Sequence, residues 1–436
     1  MAEMEQALVP LADVQRLALS GATRLPAVRI GIDDALDCVT AEDVLATEDV
    51  PPFANTAMDG YAVRAADTLG APVELEVVGV LAAGAAPTVS IGPGQAIQIM
   101  TGAPIPEGAD AIAIVERTEA VQPAGSTGSR RVRILDEVAQ GAHFRAAGSD
   151  IATGSVAISA GTALSPSHIG VLGSVGAGKV LVQRRPRVGV MSTGDELVEL
   201  DADGTAPPLR PGQIRDSNRH ALLATLRRDG FEPVDIGIVP DTKAAVTEAL
   251  GRALVSCDAV LTTGGVSMGE FDYVKVVLAS LAAVPEAVAA GASVHELSVA
   301  IRPAKPLVVG FLPSGSGGPL VPVFGLPGNP VSCLVSYQAI ALPALRVLAG
   351  RPAAPPPVIR GIAGEDLHRR SDGKTHLIRV MASFTPDGRV LARSSGGQMS
   401  HQLRAMAEAN ALAVVPDGSG VDAGENVDLI VFGPLA

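Results

Sequence analysis

No two of the three cysteines, Cys38, Cys257 and Cys333, stand at Cys-x-x-Cys spacing. Neither a disulfide framework nor a zinc knuckle is supported, and all three read as small apolar residues in a reducing compartment. The seven histidines are isolated, with no His-x-x-x-His pair. That argues against a transition-metal site built by the protein and leaves open a metal that arrives with a ligand. Basic residues are too few to balance the acidic ones, and the formal net charge is -13. Broad nucleic-acid binding needs basic surface to displace counterions from phosphates, so that class is excluded. A local basic or backbone-amide pocket for one anion is not excluded, because net charge says nothing about a single cleft. Charge-free apolar runs long enough to span a bilayer, about eighteen residues, are also missing. Met1-Ala2-Glu3-Met4-Glu5 lacks the basic start and apolar stretch of a secretory signal. A cytoplasmic location without membrane partners is expected.

Hydrophobic residues make up 47% of the 436, enough to fill several cores, and this length predicts two to four domains. Val14, Leu17 and Leu19 sit among polar neighbours and predict a helix, with a second short segment near Ala35. From Ala71 to Gln98 short Val/Leu/Ile runs punctuated by Gly and Pro predict strands and turns, interrupted later by a low-complexity loop, Gln122 to Arg131. Gly161 to Gly178 is small and Gly-rich, the texture of a hinge or close-packed junction. Arg187 opens a different regime. Strands at 188–191, 234–239, 259–263, near Val308 and at 321–324 alternate with helices, one from Ser217 to Arg228 closed by Gly230 and a long apolar one ending at Leu348. That alternation predicts a parallel sheet with helices on both faces. Arg351 to Pro357, nearly all Pro and Ala, reads as a stiff linker. The short alternating runs after it fit a small β-barrel or sandwich.

In such a sheet, ligands bind beyond the carboxyl ends of the strands. Ser192-Thr193-Gly194-Asp195-Glu196, Pro240-Asp241, Thr262 through Asp272 and Gly325 through Ser332 all fall at such ends. Gly264, Gly265 and Gly269 would let backbone amides approach a phosphate, with a helix N-terminus behind them; a plain tight βα connection explains the glycines equally well. Glu196, Asp241 and Asp272 would repel a bare anion there, and a hard cation such as Mg²⁺ reconciles carboxylates with phosphate. Helix capping is the competing role for Asp241 and Asp272. Arg302-Pro303-Ala304-Lys305-Pro306 holds two cations apart on rigid prolines, either a clamp for a small oxyanion or a solvated basic turn. Ser332, after Pro327-Gly328-Asn329-Pro330, falls in the first turn of a helix whose free amides can bind an anion. In the N-terminal half, Pro51-Pro52-Phe53-Ala54-Asn55-Thr56-Ala57-Met58-Asp59-Gly60-Tyr61-Ala62 is denser than a structural turn requires, and Met100-Thr101-Gly102-Ala103-Pro104 has similar turn chemistry.

PPFANTAMDGYAVR, MTGAPIPEGAD, STGDEL, TTGGVSMGEFDYVK and FGLPGNPVSC occur in the order found in the molybdopterin molybdenumtransferase (MoeA-type) family, which this chain resembles over about residues 45 to 345. The family includes the E-domains of plant and animal cofactor-synthesis proteins. The resemblance implies an α/β and β multidomain fold. Its parts would be a discontinuous helical domain (1–46 and 150–184), a β-rich insertion domain (47–149), a three-layer α/β domain with a parallel or mixed sheet (185–350), and a C-terminal β-barrel (356–436). It further implies an elongated homodimer in which the α/β domain of one subunit and the β-rich domain of the other form the active site. The reaction implied is Mg²⁺-dependent hydrolysis of adenylylated molybdopterin, with release of AMP and insertion of molybdenum from molybdate into the dithiolene. By motif correspondence the catalytic residues would be Asp59, Glu196, Asp241 and Asp272, with Asp241 and Asp272 holding Mg²⁺. Thr101, Asp150, Thr193, Gly194, Ser217, Gly264, Gly265 and Ser267 would bind the pterin nucleotide, and Arg302, Lys305, Pro306, Ser332 and Arg379 the molybdate. Transient contacts with a molybdopterin adenylyltransferase and with apo-molybdoenzymes are also implied.

This chain departs from many relatives at one place. They carry Lys-Pro-Gly-Lys-Pro where Arg302-Pro303-Ala304-Lys305-Pro306 stands, and some carry a further lysine at Ser298. Arginine keeps the charge but presents a planar fork in place of a point charge. Molybdate and tungstate, nearly equal in size and charge, both satisfy such a clamp. Two rival functions remain at this level. A molybdopterin adenylyltransferase shares the α/β domain and the Gly-Gly turn, but lacks the Asp59 segment and the barrel. A non-catalytic scaffold of the same fold, as in one animal relative, gives no reason for the retained acidic set.

Overall fold

The computed structural model describes residues 7–121, 129–201, 203–265, 272–315 and 318–435. The chain divides into two compact units, one of Arg29–Val182 and one of Met1–Val28 with Gln183–Ala436.

The larger unit is built on a seven-stranded sheet in the order Leu8–Val9, Ser293–Val299, Pro306–Pro313, Leu320–Leu326, Ala259–Thr263, Arg187–Thr193, Glu232–Val239. The last four strands are parallel, as the helical crossovers between them require. Pro306–Pro313 runs antiparallel to both of its neighbours, Ser293–Val299 and Leu320–Leu326, so the sheet is mixed. The connecting segments 300–305 and 314–319 are too short for the crossover of roughly a dozen residues that a parallel pair needs. Alternate residues along each strand enter separate cores. Val188, Val190 and Leu261 pack with Leu222, Leu226 and Val335 on one face. Met191, Val260 and Val308 pack with Val246, Leu250 and Val277 on the other. This division makes three layers, and each fully buried aliphatic side chain contributes about 1.5–3 kcal/mol.

Helix Leu11–Ser20 buries Val14 and Ala18 in the first of these cores, and Gln15 Nε2 donates to the Ala339 carbonyl at 2.9 Å. The sequence places this helix with residues 150–184; in the structure its apolar stripe belongs to the α/β unit. Helix Pro330–Leu348 is the one described helix long and apolar enough to cross a membrane, yet 89% of it is buried inside the protein. It is a core helix. The C-terminal region closes a five-stranded barrel, Thr375–Phe384, Val390–Ser394, Val358–Ala363, Asn426–Val431, Ala411–Val415 and back to Thr375–Phe384. Ile301–Arg302 adds a short parallel strand against Thr375 and His376, tying the barrel to the α/β sheet.

In the smaller unit a six-stranded sheet runs Thr118–Val121, Arg131–Ile134, Val73–Leu81, Gln95–Ile99, Gly60–Val63, Ala111–Ile114. Gly60 belongs to a strand, not to a turn: a Cβ there would lie 2.0 Å from the Ala113 carbonyl oxygen, so only glycine lets the strands approach. The Gly-rich stretch 161–178, which the sequence reads as a hinge or close-packed junction, contains a helix, Pro166–Ser174, with Leu172 buried in a core. Ser165 accepts from the His168 amide and the His168 ring takes the Ser165 N–H, a capping box that starts the helix despite Gly170 and Gly173. Most of the low-complexity loop, together with Ser267 and Gly269, lies outside the described residues.

Candidate functional site

Because Arg187–Thr193, Glu232–Val239, Ala259–Thr263 and Leu320–Leu326 are parallel, their carboxyl ends share one edge of the sheet. The loops there are cross-tied. The Asp241 amide donates to Asp195 Oδ1 at 3.1 Å, and the Gly264 amide to the Leu326 carbonyl at 3.3 Å. Asn218 Nδ2, from the first turn of helix Asn218–Arg228, donates both to Thr263 Oγ1 (2.7 Å) and to the Gly328 carbonyl (2.8 Å). Gly264 and Gly265 have φ of +92° and +65°, and a Cβ on Gly264 would lie 2.5 Å from the Thr193 carbonyl oxygen. Thr193 is 4% exposed, and its buried Oγ1 has no hydrogen-bond partner among the described residues. A buried hydroxyl left over beside a glycine cradle is the arrangement that an oxygen-rich ligand completes.

Four carboxylates surround this cradle. Burial pushes the Asp241 carboxyl above the usual range, and the charges of Asp195, Glu196 and Asp272 push it further. Glu196 folds back over Gly194: a Cβ on that glycine would lie 2.5 Å from Glu196 Oε2. Neither aspartate takes up the competing role of a helix cap. Thr242 caps helix Lys243–Ser256 in place of Asp241, and Asp272 makes no capping bond to helix Tyr273–Ala282. Asp216 accepts the Arg219 amide at 3.1 Å, while the exposed Ser217 gives no capping bond. A like-charged group of hard oxygen ligands fits a divalent cation.

The raised Asp241 value has a consequence for stability. A carboxyl raised on folding contributes stability that is present below its unfolded pKa and lost as pH rises through the folded value. In metal-free protein at pH 7–8 the wild type has lost that contribution, whereas Asp241→Asn carries no charge to lose. The variant should therefore melt above wild type near neutral pH, with the advantage vanishing below about pH 4. Melting curves across this range check it; a lower melting temperature for the variant at pH 7–8 would show that the carboxylate is not strained by its neighbours.

A separate cavity of about 310 Å³ is lined by Arg302, Lys305, Pro306, Ser332, Lys374, Gln398 and Ser400, among others. Three cations thus face one small space, with Ser332 in the first turn of helix Pro330–Ser336. Asp372 offsets part of the charge, 3.6 Å from Arg302 and 3.3 Å from Lys374. Ala304 sits at φ +83°, a conformation glycine adopts without strain, so this chain keeps the bend of the clamp at some cost. Arg379 does not line this space. It is fully buried in the barrel, and its Nη2 donates to the carbonyls of Gly397 (2.6 Å) and Met399 (3.3 Å). Its place is behind the loop that lines the cavity, and burial holds its guanidinium below the usual range.

The smaller unit holds Asp59 and Thr101 together. Asp59 Oδ1 accepts the Thr101 amide at 2.6 Å and the Thr101 hydroxyl at 2.8 Å. The amide first, and the hydroxyl second, keep the carboxyl below the usual range. Asp150 is exposed, donates its amide to the Val50 carbonyl and has no bond to either residue. Sequence reasoning missed Asn218, Lys374, Gln398 and Ser400. Asn218 was legible in part, as an amide beside Ser217 at a helix start; the other three lie in polar turns that look like any solvated loop.

A multidomain protein whose α/β sheet carries a carboxylate-ringed glycine turn at its strand ends and a separate cation-lined cavity is the class that this fold and site define. The chain matches the MoeA N-terminal region (domain I and II) over residues 4–176, the probable molybdopterin binding domain over 189–347 and the MoeA C-terminal region (domain IV) over 360–432. It is 39% identical to the molybdopterin molybdenumtransferase of Nostoc sp., with 87% of this chain and 83% of that one covered. To the protein of the same name in Haemophilus influenzae it is 34% identical, with 93% and 94% covered. Among solved structures, a molybdopterin biosynthesis MoeA protein from Pyrococcus horikoshii OT3 superposes with a TM-score of 0.75 at 26% identity, over 98% of this chain and 100% of that one. The chain belongs to the molybdopterin molybdenumtransferase family, transferases of molybdenum cofactor biosynthesis.

Proposed function

We propose that this protein completes molybdenum cofactor in the cytoplasm: it hydrolyses adenylylated molybdopterin, releases AMP and transfers molybdenum from molybdate to the dithiolene sulfurs. The observation that carries this reading is the Gly264–Gly265 cradle with its unpartnered Thr193 hydroxyl, set beside Glu196, Asp241 and Asp272. The Gly265 amide and the Thr193 hydroxyl would hold a phosphate, while the Gly264 amide, tied to Leu326, and Asn218 keep the flanking loops fixed. Asp241 and Asp272 would hold Mg²⁺, which when bound neutralises phosphate charge and relieves the carboxylates. Arg302, Lys305 and Ser332 would receive the oxyanion, with Lys374 as a further cation and Arg379 holding the Gly397–Met399 loop in place. Asp59, kept ionised by Thr101, would accept hydrogen bonds or bind a cation in preference to carrying a proton. Thr101, Asp150 and Ser217 are the further nucleotide contacts of this reading, and a homodimer that meets a molybdopterin adenylyltransferase and apo-molybdoenzymes is its setting.

Purified protein given adenylylated molybdopterin, molybdate and Mg²⁺ should release AMP in proportion to the cofactor formed. Exhaustive chelation should abolish the release and added Mg²⁺ restore it. Pyrophosphate from ATP and molybdopterin, with no AMP release from the adenylylated substrate, would assign the chain to the adenylyltransferases instead. Running molybdate and tungstate in parallel decides which oxyanion the Arg302 clamp prefers.

A further inference from the structure

A cavity of about 380 Å³ lies between the end of helix Asn218–Arg228, the middle of the long core helix and the last barrel strand. It shares no lining residue with the cavity at Arg302, nor with the strand-end rim. Its volume falls in the range of small-molecule sites, roughly 300–1,000 Å³. The core helix is π-type here, over Tyr337–Ala341. Such single-turn insertions are rare and frequently mark functional sites. Gln338 lies in that turn, lines the cavity and is 5% exposed, yet its side-chain amide has no hydrogen-bond partner among the described residues. The residue is held in place by the helix while its amide opens onto the cavity, where a ligand can complete its hydrogen bonds.

The charges point the same way. Asp229 is fully engaged: Arg228 Nε and Nη2 donate to its two oxygens at 2.8 and 3.2 Å, and the buried Tyr337 hydroxyl donates to Oδ2 at 2.9 Å. Arg346, half-buried on the same wall, makes no hydrogen bond or ion pair among the described residues. Burial holds its guanidinium below the usual range, and the neighbouring Arg351 and Arg228 act in the same direction against Asp229. Two guanidiniums, Arg228 and Arg346, therefore line the cavity with one carboxylate that is already spoken for. The rest of the wall is apolar, with Phe432, Leu342 and Pro356.

We propose that this cavity is a second ligand site, for a small organic carboxylate whose apolar body rests on Phe432 and Pro356 while its anionic end meets Arg346 and the Gln338 amide. A bare inorganic anion would leave the apolar wall unused, and an amine would face the arginines. The site stands independently of the reaction proposed above.

Calorimetric titration of the full-length protein with benzoate, inorganic phosphate and benzylamine tests it. Benzoate should bind, phosphate at least tenfold more weakly and benzylamine not at all; Arg346→Gln and Gln338→Leu should each weaken benzoate at least tenfold. In the wild-type protein, benzoate should also slow hydrogen exchange across residues 337–346, a readout that does not depend on how the variants fold. Absence of both heat and protection at millimolar benzoate would overturn the proposal, as would undiminished binding in both variants. Phosphate binding as tightly as benzoate, or protection appearing at residues 302–306 alone, would overturn it too.

Discussion

Asp59→Asn should lower AMP release about a thousandfold while leaving the fold intact. The substitution isolates charge because of how Asp59 is held. One oxygen, Oδ1, accepts both the amide and the hydroxyl of Thr101. The amide oxygen of asparagine can accept the same two bonds, so the turn at Met100–Gly102 loses no partner. What changes is the charge, together with the second oxygen, which becomes a donor. Since Thr101 holds the carboxyl below its usual range, wild-type Asp59 is ionised at every working pH, and the loss should be nearly independent of pH. Thr101→Val is the companion variant. It removes the hydroxyl bond and keeps the amide bond, so Asp59 should titrate higher and any loss of rate in this variant should grow toward acid pH. Circular dichroism and hydrogen exchange at residues 100–102 establish that the fold is kept. Release above a tenth of wild type in a folded Asp59→Asn protein would remove Asp59 from the reaction.

What could be read from the sequence is what local chemistry determines. The strand–helix alternation from Arg187 onward and the turns at Gly194, Gly264 and Pro327 are set by periodicity and by residues with few backbone options. Strand direction is not: Pro306–Pro313 and Leu320–Leu326 are buried runs that read alike in parallel and antiparallel sheets, and only connection length separates them. The surroundings of Arg379 were not legible either. Its place among the oxyanion contacts came from the resemblance alone, and nothing local says that the carbonyls of Gly397 and Met399 await it inside. Asn218 depends on two loops, 45 and 110 residues away in the chain, so its role as their tie exists only once the strands are ordered. For Asp241 and Asp272 the sequence left a site role and helix capping side by side. Their positions suit capping, but Thr242 takes one cap and Asp272 makes no capping bond at the other, so burial and then the neighbouring charges, not capping, govern Asp241.

Gly264→Ala should cost about 2–4 kcal/mol and abolish AMP release, whereas Gly328→Ala should leave stability within about 0.5 kcal/mol of wild type. The two glycines face each other across the cradle, yet they are constrained differently. At Gly264 φ is +92°, where L side chains are strained, and the added methyl would sit 2.5 Å from the Thr193 carbonyl oxygen and 3.0 Å from its hydroxyl. Neither neighbour can yield cheaply. The carbonyl belongs to strand Arg187–Thr193, bonded on both sides by Glu232–Val239 and Ala259–Thr263. The Gly264 amide is itself tied to the Leu326 carbonyl. Relief must come by swinging the 264–265 turn outward, which pulls Thr263 away from Asn218 and moves the Gly265 amide that would hold a phosphate. At Gly328 φ is negative or extended, and the nearest heavy atom to an added Cβ is Gly264 Cα at 3.7 Å, an ordinary contact. Calorimetric unfolding of both variants, with AMP release measured on each, separates the cases. Equal destabilisation would mean that the close approach at Thr193 is relieved by a small backbone shift, and that the cradle is looser than its glycines imply.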